Sequence, residues 1–133
     1  MIFALAATLA LAAQHGGFAT DRETLSSYMR QSCQFQQARD QGGEPADYAA
    51  FCSCLDAELA GQSGDTMYRV MALGSQGAIG EDALVDDPAA ALAEAQRLVD
   101  TAPEEERAAL PLLLQSSLGT CMPAMPEQAV SAE

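Results

Sequence analysis

Four cysteines are the residues of this chain best suited to chemistry, and they fall as C-x18-C-x-C-x66-C at Cys33, Cys52, Cys54 and Cys121. Two of them stand a single residue apart in Phe51-Cys52-Ser53-Cys54, which invites three chemistries: metal capture, thiol redox exchange or disulfide stapling. Structural zinc favours four ligands in pairs such as C-x2-C; that spacing does not occur here, and the one histidine, His15, falls near the start of the chain. Cu(I) accepts thiolate and thioether sulfur, and Cys121-Met122-Pro123-Ala124-Met125 groups three such donors. A redox cysteine needs an exposed thiolate beside positive charge, yet Arg30 and Arg39 do not adjoin the motif and acids surround it. Stapling is therefore the first reading. A thiol-redox or Cu(I)-handling role for Cys52, Cys54 and Cys121 is the alternative.

Helical geometry gives the close pair a purpose. Each residue turns 100°, so Cys52 and Cys54 project about 200° apart and cannot readily close on each other or on one ion. Measured from the apolar stripe of Tyr48, Phe51, Leu55 and Leu59, Cys52 lies roughly 40° from the centre and Cys54 near −120°, beside Asp47 and Glu58. A hairpin turning at Gly42-Gly43 sets residue i opposite roughly residue 86 minus i, which brings Cys33 level with positions 52 to 54. Cys33 occupies the edge of its own stripe, and Cys121 the middle of the last one. Matching rim to rim and centre to centre predicts Cys33–Cys54 and Cys52–Cys121. Cys33–Cys52 with Cys54–Cys121 is the second choice among the three pairings that four cysteines allow.

The elements that must hold these positions read as helices throughout. Thr20-Asp21-Arg22-Glu23 has the form of a capping box, which starts a helix at Asp21 with Leu25, Tyr28, Met29, Ser32, Phe35 and Gln36 on one face. Gly42-Gly43 ends it, and a second helix opens at Pro45 and stops at Gly61. A third covers Ser63 to Leu73, with Met67, Val70 and Met71 inward. Gly74 to Gly80, GSQGAIG, reads as a glycine-rich turn between helices in which another backbone or a ligand can approach closely. It lacks the lysine and the preceding strand of a nucleotide-binding loop. Asp87-Pro88 caps and opens a fourth helix carrying Leu92, Ala95 and Val99 on one side. Thr101-Ala102-Pro103-Glu104 repeats the capping-box pattern, and a fifth helix follows with Glu104, Glu105 and Glu106 in its first turn. Pro111 should kink that helix, and Leu110, Leu114, Ser117, Leu118 and Cys121 share its inner face. The result is an all-α fold, a small disulfide-stapled bundle of about five helices opening with an antiparallel helical hairpin. It occupies residues 20–122 as a single domain, between an expected signal peptide at 1–19 and a flexible tail at 123–133.

Composition narrows the function classes. Ile2 to Ala13 is an apolar run of signal-peptide length, too short to span a bilayer, and ends at an Ala10-Leu11-Ala12 cleavage pattern. Export to the periplasm or beyond follows, and four cysteines suit an oxidising compartment. Nineteen carboxylates against six arginines give a net charge of −13, with no lysine. Such a chain repels phosphate backbones and anionic headgroups, which disfavours nucleic acid and membrane surfaces as partners; a protein partner is compatible with it. With no histidine or lysine in the expected folded region, Ser-His and Cys-His catalysis are unsupported, and Asp86-Asp87 and Glu104 to Glu106 serve as helix starts. No catalytic residue, metal or cofactor is assigned, and the oligomeric state is left open.

In size, export and stapling at a helical hairpin, the chain resembles small exported helical proteins, a broad class that includes periplasmic acid-stress chaperones. That resemblance implies a client-holding role in acid. Carboxylate protonation near pH 4 would relieve the repulsion of an acidic chain and free apolar helix faces for unfolded partners.

Overall fold

The chain enters its first helix through a carboxylate. Asp21 accepts from the backbone N–H of Thr24 at 2.9 Å and from the Thr24 hydroxyl at 2.7 Å, and α1 runs from there over Arg22–Gln41. The cap is thus Asp21 and not Thr20, because a carboxylate accepts more strongly and also meets the positive end of the helix dipole. The computed structural model describes residues 17–127. Most of the expected signal peptide, 1–16, and the last tail residues, 128–133, lie outside the described residues.

Gly42 and Gly43 close α1 with positive φ values of 89° and 80°, a conformation glycine adopts without penalty. The Tyr48 hydroxyl donates to the Gly42 carbonyl at 2.6 Å and pins the reversal. A 3-10 turn over Pro45–Tyr48 then leads into α2, Ala49–Gln62. The two helices run antiparallel: Arg22 donates to the Ala60 carbonyl, Ser26 to Asp56, and Cys33 is bonded to Cys52. The expected hairpin is present.

The third helix corrects the sequence reading. α3 spans Asp65–Ile79 and passes straight through Gly74 and Gly77, where a glycine-rich turn was expected. Close packing is the reason. α4, Pro88–Thr101, is capped by Asp87 through the Ala90 N–H at 3.0 Å, and it lies against those glycines. A β-carbon on Gly77 would stand 2.8 Å from the Leu92 Cβ and 3.1 Å from the Pro88 carbonyl oxygen, and one on Gly74 would stand 3.7 Å from the Ala95 Cβ. Ala91 and Ala95 are the buried residues of α4, while Leu92 is 53% exposed; the inner stripe is made of alanines, not of the expected Leu92. Between the two glycines Gln76 is fully buried. Its amide nitrogen donates to the Tyr28 carbonyl, Gln31 and Ser32, and its oxygen accepts from the Leu84 and Val85 N–H groups. All of its polar capacity is used, as a buried amide requires.

α5 covers Glu104–Cys121 as one continuous helix with Pro111 inside it. Its N-cap is Pro103 without a side-chain hydrogen bond, so the second capping box does not form; Thr101 belongs to the last turn of α4 and donates to Leu98. Met122–Ala124 form a 3-10 turn, and Ala124 and Met125 pack on the cysteine cluster. The fold therefore reaches past Pro123, where a tail was expected, because the bonded Cys121 holds the adjoining residues against α2. At the other end Phe18 packs on the α3/α4 core. Arg69, 9% exposed, donates to the Ala19 and Phe18 carbonyls at 2.9 and 3.3 Å. It also meets Glu94 of α4 at 3.5 Å, with Arg97 bonded to the same carboxylate.

Gly77→Ala should lower stability by about 1 to 3 kcal/mol, because overpacking against the α4 backbone outweighs the gain in helix propensity. Gly61→Ala, with nothing within 4 Å of the added carbon, should raise it by about 0.5 to 1 kcal/mol. Urea melts of the two variants should shift in opposite directions. Glu94 is held below the ordinary glutamate range, first by its hydrogen bond from Arg97 and also by the charges of Arg97 and Arg69, against the opposing effect of burial. A depressed carboxylate contributes stability above the unfolded-state value and loses it as pH falls through the folded one. Glu94→Gln should melt below the parent at pH 7, and the gap should close towards pH 3; a gap that is constant with pH contradicts this account.

Candidate functional site

The cysteines are brought together as two bonds on opposite sides of α2. Cys33 of α1 bonds Cys52, and Cys54 bonds Cys121 of α5, with Cα separations of 5.6 and 5.7 Å. Both lie in the usual range for a bridge. The first-choice pairing, Cys33–Cys54 with Cys52–Cys121, is corrected to the second choice. The heights along the hairpin and the opposed directions of Cys52 and Cys54 are as expected. α2 has two inner faces and not one. It has α1 and α3 on the side of Phe51, Cys52, Asp56 and Leu59, and α5 on the other, so Cys54 is half-buried under α5 instead of facing a rim shared with Cys33. Cys52 and Cys121 are buried at 0% and 1% exposure, among Tyr48 and Phe51.

Below this clamp lies a polar network that the sequence reading did not single out. Asp56 is 7% exposed on the buried side of α2. Its carboxylate accepts from the Tyr68 hydroxyl at 2.5 Å and from the Ser26 hydroxyl at 2.5 Å. Tyr68 is 1% exposed, and burial first, then the bond to Asp56 and its charge, push the phenol well above its ordinary range. It stays a neutral donor at every physiological pH. The Arg22 guanidinium stacks on the Tyr68 ring at 4.4 Å, a favourable cation–π geometry, and directs its donors to Asp65, Ala60 and Ser63. One signal for this network was available in the sequence: an aspartate at a position that the Leu55/Leu59 stripe marks as inward.

α5 presents the other notable surface. Only Ser117 and Cys121 of its eighteen residues are buried, and Leu112, Leu118 and Met122 are 72%, 40% and 50% exposed. At 100° per residue, Ala108, Pro111, Leu112, Gln115, Leu118 and Gly119 fall within an arc of about 120°, and all six are exposed. Leu118 was expected on the inner face and is turned out of it. Gln115 and, towards the start of the helix, Glu104 interrupt this arc, so its apolar part is carried by Pro111, Leu112 and Leu118.

Family models, curated proteins and solved structures were each compared with the chain, and none matches it. Among the described residues no group of three or more histidine, cysteine or acidic side chains is gathered to hold a metal ion. All four sulfurs are in disulfides, so a thiolate site would first require their reduction. No helix among the described residues is long and apolar enough to cross a membrane.

Peptide mapping without reduction should recover Cys33 with Cys52 and Cys54 with Cys121. Loss of the longer bridge in a Cys54→Ser/Cys121→Ser variant should destabilise the fold by about 4 kcal/mol, and loss of Cys33–Cys52 by about 3, on chain-entropy grounds. An unchanged melting curve for either pair contradicts the clamp.

Proposed function

We propose that this chain is an exported, non-enzymatic binding protein of the cell envelope, periplasmic or secreted, that holds apolar segments of protein partners on the exposed face of α5. The observation that carries the reading is the combination on one helix of solvent-facing leucines, Leu112 and Leu118, with a covalent tether. Leu112 alone is 72% exposed, while Cys54–Cys121 fixes the helix to the bundle. Burying a leucine of this kind is worth about 1.5 to 3 kcal/mol, so a few such contacts supply useful affinity. Two disulfides favour an oxidising compartment, consistent with the apolar leader-like run at 2–13.

The charge of the chain sets the condition for binding. At neutral pH a net charge of −13 opposes acidic partners. As carboxylates protonate near pH 4 that repulsion falls, while the arginines keep their charge. Client holding in acid is the specific form of the proposal. A thiol-redox or Cu(I) role would draw on reduced Cys52, Cys54 and Cys121, and a thiol count on the native protein separates it from a stapled binding protein.

Light scattering of an aggregating client at pH 3 and pH 7 tests the reading. The intact protein should suppress aggregation, more strongly at pH 3, and a Leu112→Asp/Leu118→Asp variant with an unchanged melting temperature should lose at least half of the effect. Absence of protection at both pH values removes the proposal.

A further inference from the structure

A second feature, separate from the α5 face, is a cavity of about 210 Å³ that opens to solvent among four helices. Met29 of α1, Leu55 and Leu59 of α2, Met71 of α3 and Leu114 of α5 make its walls mainly apolar, and Asp56, Gln36 and Ser75 are the polar members of its lining. An apolar cavity of roughly 150 Å³ takes a benzene molecule, so the space here suits a body of about six to eight non-hydrogen atoms. Two methionines make the wall adaptable and polarisable.

Asp56 determines the sign of what fits. The ion pairs of the described residues engage Asp65, Asp82 and Glu94, and no cation lies within 4 Å of the Asp56 carboxylate among them. Its partners among the described residues are the neutral hydroxyls of Ser26 and Tyr68, one on each oxygen. A carboxylate has about four acceptor sites, which leaves each oxygen able to take another donor. Buried carboxylates are normally paired with a cation, and Arg22, stacked on the far partner Tyr68, is already bound to Asp65 and two carbonyls. The site combines an apolar volume with an unneutralised negative charge at its wall.

We propose that this cavity binds a small organic ammonium ion, an alkyl or aryl body of about six to eight non-hydrogen atoms bearing one amine, with Asp56 as its counter-charge. The apolar body lies against Met29, Met71 and Leu114, and the ammonium donates to Asp56. Tyr68 and Ser26 hold the carboxylate in place, and Tyr68 remains a donor because its phenol does not ionise in the physiological range. Gln36 and Ser75 also reach the lining, but they are neutral, so Asp56 supplies its one formal charge. The inference does not depend on the client-holding reading, since Leu112 and Leu118 are absent from the cavity wall.

Titration calorimetry on the oxidised full chain at about 0.15 M salt, where the Debye length is about 8 Å, tests it with hexylammonium and hexan-1-ol as matched probes. The amine should bind one to one and about tenfold or more tighter than the alcohol, the advantage of a charge-assisted hydrogen bond. Asp56→Asn should bring the two probes within about twofold of each other. Met71→Trp, which fills the volume and keeps the carboxylate, should abolish binding of both while the melt remains cooperative. Equal binding of amine and alcohol to the parent protein overturns the proposal, and so does undiminished amine binding to Met71→Trp. Should Asp56→Asn fail to fold, the parent comparison and Met71→Trp decide the matter by themselves.

Discussion

The structure depends on the angle between two neighbouring side chains. Because positions i and i+2 of a helix point about 200° apart, Cys52 and Cys54 cannot serve the same neighbour, and α2 becomes a rod bonded on both flanks. One bond fixes the register of the α1/α2 hairpin; the other brings the end of the chain back across some sixty-seven positions of sequence. Loops of these lengths are worth about 3 and 4 kcal/mol by the chain-entropy argument. Domains of this size are stable by about 5 to 15 kcal/mol in total. Covalent closure is therefore of the same order as the whole stability of the fold, and the buried cluster of Tyr48, Phe51, Cys52 and Cys121 assembles around it.

The contact between α3 and α4 carries no disulfide. α3 and α4 approach through Gly74 and Gly77 on one side and Ala91 and Ala95 on the other, and small side chains there allow two backbones to come close enough for dispersion contacts to accumulate. Such a flat contact specifies distance better than position. Directional bonds add the rest: Gln76 ties α3 to α1 and to the loop at Leu84 and Val85, and the Arg69–Glu94–Arg97 group ties α3 to α4 and to the segment at Phe18 and Ala19. Arg69 is the residue that makes positions 18 and 19 part of the fold, although the sequence pattern placed them with a leader.

What could be read from the sequence and what could not divide along a physical line. Helix starts carrying a local signal, such as Asp87-Pro88, and the hairpin at Gly42-Gly43 were readable because the interactions that form them lie within a few residues. Gly74 and Gly77 were misread as a break for the complementary reason: their value lies in a contact with α4 that local propensity does not contain. The disulfide pairing failed at the same level. Spacing gave the directions of Cys52 and Cys54 correctly, but which neighbour stood in each direction depended on α5 crossing the outer side of α2. Asp56 was overlooked because a single acid in an apolar stripe shows its role only when Ser26 and Tyr68 are seen beside it. The exposure of Leu112 and Leu118 depends on which helices leave α5 uncovered, and no pattern within α5 itself reveals that.

The tether on α5 also accounts for how an apolar helix can stay exposed. A helix is ordinarily held to a domain by burying its leucines, at about 1.5 to 3 kcal/mol each, and those leucines are then unavailable to anything else. Here the fully buried residues are only Ser117 and Cys121, with Leu110, Leu113 and Leu114 half-buried against the bundle. The contact is also imperfect, since the Ser117 hydroxyl has no hydrogen-bond partner among the described residues and an unsatisfied buried group costs about 1 to 3 kcal/mol. The Cys54–Cys121 bond, worth about 4 kcal/mol by the loop argument, offsets the missing burial of roughly two leucines. Covalent attachment thus separates two demands that packing alone would set against each other, holding the helix in place and keeping its apolar side chains free for contact.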